Sequence, residues 1–290
     1  MIESGWGEPR TRVLFDRARR DLREAGRPRP VRVYEWEPQG AAAEPVPLVL
    51  VSHGTGGSGV GMGWLAGPLA AAGFRVVSVD HHGNDFVGGY EPEGFLCPWE
   101  RPRDFAFVLD VLAAERPLGP VGAAGFSAGG YTAAALAGVR LDSGVLHALV
   151  TGAVPLPEIP EFPGVLDAFR AKVPAAELSA LTAEAGADLA DPRVRAVFQV
   201  APGLGPMVTA QSLAAVRVPV EIRWGGADVV NPYEVDTRPY LEGIPSAAGR
   251  EIGPDVTHPD FIGPDPAPRA ANARAEVAAD AVAFFRRHLG

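Results

Sequence analysis

Short, continuous apolar runs set what this 290-residue chain can fold into. They are Leu48–Ser52, Arg75–Val79, Val121–Phe126, Val194–Val200 and Val218–Trp224, with a shorter one at Arg250–Ile252. A strand with one wet face alternates in polarity, whereas a continuous run suits a strand covered on both faces of a parallel sheet. Thr11–Phe15 and Val31–Trp36 do alternate, and read as half-buried antiparallel strands that open the sheet. Helical patterns fall between the runs, at Gly63–Ala72, Arg103–Glu115, Ala128–Gly138 and Asn272–His288. Strands alternating with helices predict an α/β architecture, mostly parallel, with helices on both faces.

One stretch breaks this rhythm. Residues 151–190 begin with Pro155, Pro157, Pro160 and Pro163 and carry helical patterns at Val165–Lys172 and Ala175–Ala185. They read as a cap inserted into a single domain that spans residues 1–290. Val145–Val150 fits either a helix or a strand.

Composition removes several function classes. A net charge of −9 with no cluster of Lys and Arg argues against nucleic acid as a partner. The Arg-rich stretch Arg10–Arg29 is interleaved with Asp16, Asp21 and Glu24, and reads as a solvated face. Arg101 and Arg103, beside Glu100 and Asp104, read as mixed surface charge. Cys97 is the only cysteine, so an internal disulfide and a cysteine metal cluster are excluded. No run resembles a signal peptide or the roughly 20 apolar residues of a membrane span, so a cytoplasmic protein is expected. No metal or organic cofactor is called for, and the number of subunits is left open.

The chemistry concentrates at Gly125-Phe126-Ser127-Ala128-Gly129, a G-x-S-x-G between an apolar strand and a small-residue helix. That context is what a nucleophile elbow needs, because the turn is strained and flanking side chains would clash. Serine requires a base. Of the six histidines, His258 lies in a loop after the last strand and before the last helix, where a base falls in the order Ser…Asp…His. Asp228, in Gly225-Gly226-Ala227-Asp228 after a buried strand, is the matching acid; Asp255 and Asp260 are rivals. The N–H of Ala128 can face an oxyanion, and a second donor is expected from His53-Gly54-Thr55-Gly56-Gly57. Thr55 is the choice and Gly56 the rival, with Gly56 also a substrate contact. His82 and Met207 are further candidate substrate contacts.

Ser52-His53-Gly54-Thr55-Gly56-Gly57, Val79-Asp80-His81-His82-Gly83-Asn84, Glu100-Arg101-Pro102-Arg103-Asp104 and Gly125-Phe126-Ser127-Ala128-Gly129-Gly130-Tyr131 occur in this order. Together they resemble the dienelactone hydrolase-like group of α/β-hydrolases, related to platelet-activating-factor acetylhydrolase-like and cutinase-like esterases. The resemblance implies an eight-stranded sheet and a Ser127, Asp228, His258 triad. Dienelactone hydrolases proper use a cysteine nucleophile, and this elbow carries serine, so dienelactone specificity does not transfer.

Three functions stay open at this point. The first is a serine hydrolase that cleaves a carboxylic ester, lactone or thioester of a small molecule through an acyl-enzyme. The second is an acyltransferase, thioesterase or cyclase with the same triad. The third is a non-catalytic binding module, since a fold alone does not establish catalysis. Leu156, Ile159, Phe162, Val165, Leu166 and Phe169 in the cap could line an apolar pocket or simply seat the cap on the sheet. The same holds for Phe86, Tyr90, Phe95 and Trp99.

Overall fold

A computed structural model describes residues 8–38, 45–264 and 266–290; the first seven residues of the stretch searched for a signal peptide lie outside them. Eight strands form one sheet: β1 (Arg10–Arg20), β2 (Pro28–Trp36), β3 (Leu48–Ser52), β4 (Arg75–Asp80), β5 (Val121–Phe126), β6 (Val194–Val200), β7 (Val220–Trp224) and β8 (Ala247–Glu251). Their spatial order is β1-β2-β4-β3-β5-β6-β7-β8. β2 runs antiparallel to both β1 and β4, and the remaining neighbours are parallel. Every residue of β3, β4 and β5 is buried, which is why these runs carry no polar alternation. β8 differs from its expected place at Arg250–Ile252. It is a largely exposed edge strand, where packing asks little of composition, and Ile252 already lies past its end.

Two apolar layers cover the sheet. On one face, α1 (Gly63–Ala71) and α10 (Pro268–Leu289) pack Leu65, Leu69, Val277, Phe284 and Phe285 against Val49, Val51 and Phe198. On the other, α3 (Glu100–Glu115) and α4 (Ala128–Ala135) bring Phe105, Leu109, Ala133 and Ala134 against Leu48, Leu50 and Val77. A third cluster joins a short helix, α2 (Pro92–Leu96), to α5 (Ser143–Thr151) and to two helices within residues 151–190, α6 (Val165–Lys172) and α7 (Leu178–Ala183). Val145–Val150 is therefore helical, with Asp142 capping α5 through Gly144 and Val145 N–H. Two further short helices, α8 (Ala210–Ala215) and α9 (Arg238–Gly243), flank β7 in the chain.

The reading of residues 100–104 as surface charge holds for half-exposed Glu100 and Arg103, which pair with each other, but is overturned for Arg101 and Asp104. Helix α3 begins at Glu100, since a proline in the first turn removes no helical hydrogen bond. That start puts Arg101, Asp104, Phe105 and Val108 on the buried face, and Arg101 and Asp104 are 2% and 0% exposed. Arg29, read as part of a solvated face, is buried too, because it pairs with Asp104 at 2.9 Å. Arg19 also reaches Asp104 at 2.9 Å.

This pairing starts a chain of buried polar contacts at the carboxyl ends of β3 and β4. Asp104 can only accept, so His81 donates Nδ1–H to it at 2.9 Å. His81 Nε2 must then accept, and Ser52 Oγ–H donates to it at 2.9 Å. The backbone N–H of His81 donates to His53 Nε2 at 3.1 Å, which leaves His53 Nδ1–H to donate to the Gly54 carbonyl at 2.7 Å. Burial works against the charge on Asp104, but the Arg29 and Arg19 guanidiniums outweigh it and hold the carboxyl well below the usual carboxylate range.

Burial also pushes three imidazoles down: His53 strongly, His81 to about 3 and His82 to about 4. Unfolded, each would take up a proton below about pH 6.5. The stability they carry is thus full above that pH and is lost as pH falls toward the folded values, at about 1.4 kcal/mol per unit for each histidine. Asp85 and Asp236, pushed up to about 6 chiefly by burial, bind protons in the folded state and offset part of the loss. The unfolding free energy from urea titration is expected to drop on the order of 3 kcal/mol between pH 7 and pH 5. His82→Gln should make that slope shallower by one proton. A stability that does not change across this interval would contradict the neutral buried histidines.

Candidate active site

Ser127 sits between β5 and α4 with φ 58° and ψ −124°, a backbone conformation that costs a non-glycine residue about 1–3 kcal/mol. Its two flanking glycines explain how the turn closes. A Cβ on Gly125 would lie 1.9 Å from the Gly129 carbonyl oxygen, and one on Gly129 would lie 2.2 Å from the Ser52 carbonyl oxygen. Strand and helix touch backbone to backbone there, and no side chain fits. Three hydrogen bonds then hold the strained residue. Ser127 N–H donates to Val200 O at 2.9 Å, and its carbonyl accepts from Gly130 N–H at 2.8 Å and Gly203 N–H at 3.0 Å.

His258 opens a one-turn helix, His258–Phe261, whose entry is fixed by a capping box between Thr257 and Asp260. Its ring packs on Phe126, the residue before the serine, with centroids 4.6 Å apart. Nδ1 lies 2.7 Å from Asp228 Oδ2. Asp228 Oδ1 accepts from Val230 N–H at 2.9 Å and Asn231 N–H at 2.8 Å, so the carboxylate is held from both sides. The rivals are disposed otherwise: Asp260 is spent on Thr257 and Arg269, and Asp255 is exposed.

Sequence reasoning missed Asn231, which follows the acid by three residues. Its amide Nδ2 donates to Ala201 O at 2.8 Å and to Ser127 Oγ at 3.3 Å. Among the described residues it is Asn231, not His258, that bonds the serine hydroxyl in this rotamer. Its only sequence signal was a polar residue beside Asp228, too common to single out.

The loop after β3 is nearly saturated with hydrogen bonds. Arg101 donates to the His53 carbonyl, and His53 and Gly57 N–H both donate to Gly54 O. Asn84 Oδ1 accepts Gly56 N–H at 2.7 Å, Tyr90 Oη–H donates to Gly56 O at 2.9 Å, and Phe86 N–H donates to Gly57 O at 3.1 Å. The rival donor is therefore committed: Gly56 N–H points to Asn84. Gly56 also lies beneath the insertion, where Glu161 Cγ would be 2.7 Å from an added Cβ. Thr55 N–H and Ala128 N–H have no protein acceptor among the described residues.

One expected substrate contact is placed elsewhere. His82 turns toward the β1–β2 connection, with Nε2 3.1 Å from Leu22 N and 3.0 Å from Asp21 Oδ1. The cause is the antiparallel pairing of β2 with β4: Arg32 faces Asp80, so the start of β2 and the β1–β2 connection overhang the carboxyl end of β4. Met207 lies half-buried on the turn Gly205–Met207 and packs against the insertion's apolar cluster. Cys97 is buried and burial pushes its thiol up, away from thiolate chemistry. No group of three or more His, Cys, Asp or Glu among the described residues could hold a metal ion, and no helix among them is long and apolar enough to cross a membrane.

No protein-family model matches the chain, and no curated protein matches it. Solved structures do. A cold-adapted esterase from an Arctic intertidal metagenomic library is 15% identical with a TM-score of 0.55, over 97% of this chain and 93% of that one. XC6422 from Xanthomonas campestris, described as an α/β serine hydrolase without lid, is 16% identical with a TM-score of 0.55, over 97% and 94%. An α/β serine hydrolase homologue from Coxiella burnetii is 15% identical with a TM-score of 0.54, over 93% and 96%. With its sheet order and strand directions, the chain has the α/β-hydrolase fold.

Proposed function

We infer that the chain is a serine hydrolase that cleaves a carboxylic ester, lactone or thioester of a small molecule through an acyl-enzyme. The observation that carries this reading is the strained Ser127 beside a buried His258–Asp228 pair. A serine held at positive φ costs stability and has no packing purpose, which counts against a non-catalytic module.

In the proposed cycle Ser127 Oγ turns from Asn231 toward His258 and attacks the acyl carbonyl. His258 Nε2 takes the hydroxyl proton, while Asp228 keeps Nδ1 protonated and steadies the imidazolium. The N–H groups of Thr55 and Ala128 hold the oxyanion. His258 then returns the proton to the leaving alkoxide or thiolate. Water, deprotonated by the same imidazole, attacks the acyl-enzyme; the bond to Ser127 Oγ breaks, His258 gives Oγ that proton, and the acid is released.

The motifs around residues 52–57, 79–84, 100–104 and 125–131 support placing the chain in the dienelactone hydrolase-like group, with serine as nucleophile. Residues 151–190 serve as its cap: Glu161 overlies Gly56, and Phe162 stacks on Tyr90, centroids 6.5 Å apart, and meets Phe95 edge-on at 5.4 Å. That aromatic trio supports the seating role, since Tyr90 is itself tied to the Gly56 carbonyl.

A fluorophosphonate probe is expected to label Ser127, and Ser127→Ala and His258→Ala to abolish labelling. Folded wild-type protein that stays unlabelled would refute the reading. Asp228→Asn leaves the shape but favours the wrong imidazole tautomer, so kcat for a short p-nitrophenyl ester should fall about 10⁴-fold with little change in KM. A loss below tenfold would point to another carboxylate as the acid.

A further inference from the structure

Arg101 is 2% exposed, a depth at which charged side chains are nearly always paired. Among the described residues no carboxylate forms an ion pair with it, because Asp104 is taken by Arg29, Arg19 and His81. Burial pushes its pKa down, and Asp104, through space, only partly opposes this. The guanidinium instead spends its donors on neutral oxygens. It bonds Thr132 Oγ1 at 3.0 Å, Asn84 Oδ1 at 3.3 Å, Ser52 Oγ at 3.4 Å and the His53 carbonyl.

Each of these acceptors leads to one of the two N–H groups assigned to the oxyanion. His53 is two residues before Thr55. Asn84 Oδ1 also takes Gly56 N–H, the residue after Thr55. The hydroxyl of Thr132 donates in turn to the carbonyl of Ala128 at 3.1 Å. Ser52 ends β3 and is fixed by His81. A fork of five donors can reach all four at once, which an ammonium cannot.

We propose that Arg101 is the positioning residue of the oxyanion hole: it aligns the Thr55 and Ala128 N–H groups and sets a buried positive charge behind them. The charge costs desolvation in the resting protein. It is returned when negative charge develops nearby, where a low dielectric magnifies the attraction. The inference rests on Ser127 being the nucleophile.

The test compares Arg101→Met, Arg101→Gln and Arg101→Lys, using a p-nitrophenyl ester, the fluorophosphonate probe and an alkylboronic acid as tetrahedral mimic. Removing the charge should lower kcat about 10²-fold with KM within a few-fold, and weaken boronate binding in parallel. Arg101→Lys should fold and recover part of the loss, since it keeps the charge without the fork. A merely structural role would leave kcat per labelled site and boronate affinity unchanged, and that result overturns the proposal. If Met and Gln variants do not fold, Arg101→Lys decides: unaltered kcat and boronate affinity there would also overturn it. Failure of the wild type to label at all would instead defeat the nucleophile assignment.

Discussion

Asp104 is fully buried, and Arg29, Arg19 and His81 converge on its two oxygens. These three come from β2, β1 and the end of β4, so one carboxylate ties the antiparallel opening of the sheet to its parallel body. Leaving such a charge without partners typically costs about 3–5 kcal/mol. The strength of the arrangement lies in its completeness: because Asp104 is saturated, His81 has one possible tautomer, and that tautomer orients Ser52 and frames the loop after β3. A substitution at Asp104 would therefore reach the loop after β3 without touching it.

The carboxyl edge separates two kinds of order. The residues behind the loop are locked by hydrogen bonds whose donors and acceptors leave no alternative. Ser127 is held differently, by backbone strain and by glycines too close to their neighbours to carry side chains. Its hydroxyl is held by Asn231 alone among the described residues. Rigid surroundings with one rotatable hydroxyl suit acyl transfer, in which the nucleophile moves and the groups that receive its charge do not.

Much of this was legible from residues alone, where one physical cause dominated. β3, β5 and β6 fall where their apolar runs lie, because burial on both faces leaves composition no freedom. The elbow was legible because its glycines have no substitute. Reading failed where two causes compete. Arg101 and Asp104 look like surface charge until α3 is known to start three residues earlier than expected and to turn both inward. His82 and Gly56 sit in the right motifs, yet their polar groups are claimed by Asp21, Leu22 and Asn84, and such pairing is invisible in one dimension. Exposed edge strand β8 carries too little pattern to fix its bounds, and the six-residue helices α8 and α9 carry too little to be seen.

Asn231 gives its backbone N–H to Asp228 and its amide to the Ser127 hydroxyl. One residue thus touches both ends of the proposed proton relay. A displacement of the segment from Asp228 to Asn231 would loosen the carboxylate and release the hydroxyl in the same motion. On the proposed reading, base and nucleophile would then be lost or regained together.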